Sequence, residues 1–280
     1  MSKIDFHVHI TPPEISADWR KYAEKEPYFS MLSHGPRNKF ASAPDIIAAL
    51  DTAGFDKAVV FGFAFNDAGL CRYVNDYVID SVTRYPDRLI GFMVVPPGGV
   101  ELEDEIQRCH AAGLRGVGEL FPEGQDFDIA DTRQTAALAA ACTHFNIPLL
   151  IHANEPLGHH YPGKTKIGLR SQEQFIENNP GLEIVLAHWG GGLLFYETMP
   201  EMREKCRNVY YDTAASPLLY DPSVYRAASA IGLSEKILFG SDFPLLPHSR
   251  YIDALAASGI SLSEQEQMLG GNAIKLLNGR

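Results

Sequence analysis

Eight short runs rich in β-branched and aliphatic residues recur along the chain, at 4–9, 57–62, 89–95, 116–120, 148–152, 183–188, 209–213 and 236–241. Stretches with helical hydrophobic spacing accompany them, at 43–53, 70–85, 102–112, 132–145, 171–178 and 251–257. Strands alternating with helices predict a parallel sheet, and eight of them predict that sheet closed into a (β/α)8 TIM barrel. At 280 residues and 45% hydrophobic content the chain can bury such a core as a single α/β domain spanning 1–280. An open doubly wound sheet would carry a glycine-rich phosphate loop after its first strand, and "HVHITPPE" is not one. Two connections exceed plain loops: a lid-like insertion at 11–42 after strand 1 and a long loop at 153–169 after strand 5. Both leave the carboxyl ends of strands, where barrels of this kind do their chemistry.

The first strand reads "DFHVH". Alternation along a strand puts His7 and His9 on one face, which is what a shared metal ion requires of two imidazoles. Other strands end in similar residues: "GVGEL" in Glu119, "PLLIHANEP" in His152, "EIVLAHWGGG" in His188 and "ILFGSDFP" in Asp242. Counting by twos pairs Leu150 with His152, Leu186 with His188 and Gly240 with Asp242, giving apolar layers below and six donors on one rim. Four of the ten histidines fall at strand ends, whereas His110 and His144 lie on helices and read as structural. The expected cofactor is one or two divalent ions, zinc first, with manganese or iron equally compatible with imidazole and carboxylate.

Taken in order, "DFHVH", "IHANEP", "LAHWGG", "FGSDFP" and the closing "GGNAIKLL" resemble the amidohydrolase superfamily. Within it they resemble the branch similar to aminocarboxymuconate-semialdehyde decarboxylase. The resemblance implies His7, His9, His152 and Asp242 as metal ligands. His188 would then ligate a second ion or orient the attacking water. Many relatives place a carbamylated lysine on strand 4, but here "GVGELFP" supplies Glu119, similar to the superfamily's metal-dependent deoxyribonucleases, in which a glutamate bridges two ions. Glu119 is read either as that bridge or as an acceptor steadying a ligand histidine.

With the pKa of its water lowered by the metal, the set predicts a metal-dependent hydrolase. Asp242 and His188 are its catalytic candidates, and an amide, lactone or other ester of a small carboxylated molecule its substrate. The alternative is a non-oxidative decarboxylase on the same metal set; a nuclease or phosphoesterase and a catalytically silent metal-binding protein rank lower. The loop "EPLGHHYPGK" offers Glu155, His159, His160, Tyr161 and Lys164 for substrate contacts, with Arg170 as a further anion partner. Trp189 would wall the pocket or pack under the turn at 190–192, and "YFSMLSHGPRNKF" could add Tyr28, His34 and Arg37. A net charge of −11 argues against nucleic acid as a partner. No stretch reads as a membrane span or signal segment, and Cys71, Cys109, Cys142 and Cys206 are scattered, so a cytoplasmic protein with reduced thiols is expected. Homo-oligomerisation is left open.

Overall fold

The computed structural model describes residues 2–35 and 39–279. Eight parallel strands appear in the expected order: β1 Ile4–His9, β2 Lys57–Phe61, β3 Leu89–Gly91, β4 Val117–Leu120, β5 Leu149–Ile151, β6 Ile184–Leu186, β7 Val209–Asp212 and β8 Ile237–Leu238. They form two ladders, β1-β2-β3 and β4-β5-β6-β7-β8. A bridge between Met93 and Val117 joins the ladders on one side. On the other, β1 meets the segment after β8: Phe6 N–H donates to Phe239 O at 2.7 Å, Asp242 N–H to His7 O at 2.9 Å and His9 N–H to Phe243 O at 2.9 Å. These contacts close the barrel into the predicted TIM fold, one domain around one apolar core.

Local sequence explains the surrounding helices. Ser42 and Asp45 form a reciprocal capping box at the start of helix Ala43–Ala53, and Asp67 Oδ1 accepts Leu70 N–H at the start of Ala68–Arg84. The four cysteines are buried thiols, and burial pushes Cys142 up to about 12 and Cys206 up to about 11. No helix among the described residues is long and apolar enough to cross a membrane.

Strands are shorter than the sequence pattern suggests, and that changes how the rim is built. β6 stops at Leu186 and β8 at Leu238, so His188 and Asp242 lie beyond their strands. Both take left-handed backbone, His188 at φ 54° and Asp242 at φ 56°. Counting by twos therefore does not orient these two residues; sharp turns do. Two glycines are needed nearby. Gly118 has φ +120°, and a Cβ there would fall 2.1 Å from the Leu150 carbonyl oxygen; a Cβ on Gly240 would fall 2.8 Å from His7 Cβ. Among its described residues the strand-1 insertion has three short helices, Pro13–Ala17, Trp19–Ala23 and Pro27–Ser33, and Arg37 lies outside the described residues. The segment 152–168 has neither helix nor strand.

Candidate metal centre

The six rim donors converge. His7 Nε2 and His9 Nε2 stand 3.6 and 3.5 Å from Glu119 Oε2, and 3.8 and 3.4 Å from Asp242 Oδ1. The other oxygen of Glu119 faces the opposite way, 3.0 Å from His152 Nδ1 and 3.5 Å from His188 Nε2. Two triads result, His7-His9-Asp242 and Glu119-His152-His188, each with donor atoms within 4.8 Å of one another. Glu119 lies between them with one oxygen for each.

Most of these separations exceed a hydrogen bond and match another geometry. Four donors each about 2.1 Å from a shared ion stand about 3.4 Å apart. Among the described residues His7 Nε2 is buried without a hydrogen-bond partner, although it faces two carboxylates. Three of the four far ring nitrogens are engaged: His7 Nδ1 on Asp212 Oδ2 at 2.8 Å, His188 Nδ1 on the Ala214 carbonyl at 3.0 Å and His152 Nε2 on the Gly163 carbonyl at 3.0 Å; His9 Nδ1 is buried with no partner among the described residues. Carbonyls and carboxylates only accept, so each of these three engaged nitrogens carries a hydrogen, and the opposite one, once free of any proton, can turn a lone pair to a cation. The residues fit a divalent ion.

Electrostatics agree. Burial works against charge on Glu119, yet the His7 charge and the His152 and His188 imidazoles that face it hold its carboxyl well below the usual range. Burial also opposes ionisation of Asp242, which the His9 hydrogen bond and the neighbouring imidazolium charges outweigh. Burial would lower His188, but Glu119, Asp242 and Asp212 raise it to about 9. His7 is likewise raised against burial, by Asp212 and Glu119. Burial dominates at His152, which is lowered. At His7 and His188 a proton thus occupies the inward nitrogen, and a cation there would displace it.

A cavity of about 270 Å³ opens on this cluster, with His9, Glu119, His152, His188 and Asp242 at its floor. Its walls are mostly apolar and aromatic: Phe63 stacks on His9 at 4.9 Å, Phe121 stacks on His152 at 3.8 Å, and Tyr28, Leu218 and Leu219 complete the enclosure. Of the substrate candidates, His159 and Tyr161 line it. His160, Lys164, Arg170 and Trp189 do not. Lys164 Nζ is used on the carbonyls of Leu157 and His159, which folds the loop on itself. Arg170 is exposed and paired with Glu173 at 2.5 Å. Trp189 is fully buried, donating to Ser216 Oγ at 2.5 Å and packing edge-on against Tyr225, so it supports the turn from beneath. Glu155 accepts the Tyr161 hydroxyl, and His34 is exposed beside Trp19.

Sequence reasoning passed over Asp212, Asp5 and Lys39. Asp212 ends β7 and follows the same strand-end rule as the rim donors, a usable signal in "VYYD". Asp5 Oδ1 accepts the amides of His7 and Ser241 while Oδ2 meets His248 Nε2 at 2.8 Å, clamping the barrel seam. Lys39 is the one lysine or arginine among the described lining residues, and nothing in its surrounding sequence marks it.

The amidohydrolase family profile matches residues 4–279. Among curated proteins the chain is similar to a 6-methylsalicylic acid decarboxylase of Penicillium expansum, 30% identical over 120 residues. That match spans only about a third of either protein, 36% of each. Among solved structures it is similar to a 5-carboxyvanillate decarboxylase from Sphingomonas paucimobilis, 18% identical, with a TM-score of 0.79 and 100% of both chains covered. A 5-carboxyvanillate decarboxylase from Novosphingobium aromaticivorans, complexed with manganese and 4-hydroxy-3-methoxy-5-nitrobenzoic acid, is 16% identical with a TM-score of 0.77, covering 99% of this chain and 96% of that one. At such identities the structural likeness speaks for the fold.

Proposed function

The chain belongs to the amidohydrolase family, and from that membership we propose that it is a divalent-metal-dependent, non-oxidative decarboxylase of small hydroxylated aromatic acids. The observation that carries this reading is the cavity: about 270 Å³, walled by aromatic and aliphatic side chains, with five of the six donors, His9, Glu119, His152, His188 and Asp242, as its floor. That is the size and chemistry for a single substituted ring whose polar edge points downward. The names of the relatives support carbon dioxide release over the hydrolysis read from the sequence. Manganese in a structural neighbour makes zinc one candidate among several.

His7, His9 and Asp242, with Glu119, would hold one ion; Glu119, His152 and His188 would hold another. The ion supplies charge to bind and polarise a carboxylate and an adjacent oxygen. Phe63 and Phe121 keep the ring plane among apolar contacts and exclude water from it. The bond from ring carbon to carboxylate breaks, its electron pair stays on the ring, and a proton must reach that carbon. Asp242 is the candidate relay, since its side chain, 15% exposed, borders the cavity. A proton from solvent completes the balance.

One observation favours a second reading. Glu119 faces both triads, as a carboxylate shared by two ions would, and two ions suit hydrolysis. Manganese-loaded protein offered a panel of hydroxybenzoates, lactones, esters and amides separates the two. Carbon dioxide and a decarboxylated phenol are expected; hydrolysis without carbon dioxide would overturn the proposal.

A further inference from the structure

We propose that Tyr28 is a positioning residue that, through the Gly163 carbonyl, couples closure of the two rim segments over the cavity to the orientation of His152. The inference rests on the metal-centre reading above. His152 faces Glu119 Oε1 through Nδ1, and its Nε2–H is held by Gly163 O at 3.0 Å. Gly163 belongs to the segment after β5 that has no helix or strand. That segment is pinned at its base, where Thr165 N–H and Oγ–H donate to Asn154 Oδ1 at 2.9 and 2.7 Å.

From the strand-1 insertion, Tyr28 donates its hydroxyl to the same Gly163 carbonyl at 3.2 Å. Its ring lies 4.3 Å from Phe121, and Phe121 stacks on the His152 ring at 3.8 Å. Tyr28 therefore touches both supports of one imidazole, the acceptor that fixes its tautomer and the ring that fixes its plane. Tyr28, Pro162 and Gly163 all line the cavity. Parting the two segments to admit a molecule removes the acceptor from Nε2–H, which frees His152 to turn or to move its hydrogen to Nδ1. Closing them returns the Nδ1 lone pair to face Glu119. Enclosure of a substrate and completion of the donor set are then one event.

Tyr28→Phe keeps the ring and removes only the hydroxyl. Mn²⁺ binding to the chelator-treated full chain is followed by the paramagnetic resonance of free Mn²⁺, alongside thermal melting without metal and the visible spectrum with Co²⁺. The expected result is Mn²⁺ affinity roughly three- to ten-fold weaker, an altered Co²⁺ spectrum and unchanged metal-free melting. Thr165→Ala, which loosens the other end of the segment, moves affinity and spectrum the same way. Wild-type affinity and spectra in both variants, or weakening matched by lost stability of the metal-free chain, would overturn the coupling. A wild-type chain that binds neither Mn²⁺ nor Co²⁺ would instead overturn the metal reading beneath it.

Discussion

His7 Nδ1 lies 2.8 Å from Asp212 Oδ2, and both side chains are fully buried. The second oxygen of Asp212 accepts the amides of His188 and Ala214, each at 2.9 Å. One carboxylate at the end of β7 therefore fixes a ring on β1 and the turn after β6.

Asp212→Asn tests this. The amide oxygen can keep the two backbone bonds, but its NH₂ then faces His7 Nδ1 and forces the hydrogen onto Nε2, the nitrogen that would face an ion in the proposed centre. Metal affinity should fall about 10- to 100-fold with the fold retained, as read by metal titration and circular dichroism. Unchanged affinity would separate Asp212 from the centre.

Glu119→Gln preserves size and removes the charge that both triads share. Metal content per chain should drop by about one ion, and turnover by more than about 100-fold. Elemental analysis after gel filtration gives the count. A variant that keeps the wild-type metal content would show Glu119 to be an acceptor beside the site and no bridge.

The raised histidines predict a pH dependence confined to the metal-free protein. His188 is lifted from an ordinary 6.5 to about 9, and His7 is raised too. A raised folded value contributes stability that is fully present below about 6.5 and lost as pH climbs through the folded value. Melting of chelated protein should fall by several degrees between pH 7 and 9.5. With saturating Mn²⁺ the decline should flatten, because the ion has replaced those protons. Parallel curves with and without metal would contradict this.

Gly240→Ala should disturb the seam. The new methyl would sit 2.8 Å from His7 Cβ and 3.3 Å from Asp212 Cβ, in a region with no space to yield. A loss of about 1–3 kcal/mol is expected by thermal or urea unfolding, together with weakened metal binding. Gly54→Ala, where a Cβ meets nothing within 4 Å, tests a different cost, that of its φ of +71° alone.

The barrel and the donors of its rim were legible because each rests on local rules. Hydrophobic periodicity marks strands and helices, and a histidine or acid at the end of an apolar run stands out as costly to bury without a partner. "DFHVH" needed only strand alternation to put His7 and His9 on one face. Asp212 obeyed the same rule and was overlooked, since one acid at the end of "VYYD" has nothing beside it in the chain to suggest His7, 205 residues away.

Side chains that depend on loops could not be placed by spacing. Lys164 lies in a polar loop and looked free to meet an anion, but its ammonium is held by carbonyls of its own segment. Trp189 follows His188 directly, yet successive left-handed residues send one ring to the cavity floor and the other into the core. Sequence by itself determined the eightfold alternation and which residue types reach the rim, because period and burial cost are properties of short stretches. Only the tertiary structure decided which oxygen of Glu119 faces which triad, and that the Gly163 carbonyl meets both His152 and Tyr28. Those contacts join parts of the chain far apart in sequence, and their geometry follows from how the barrel closes.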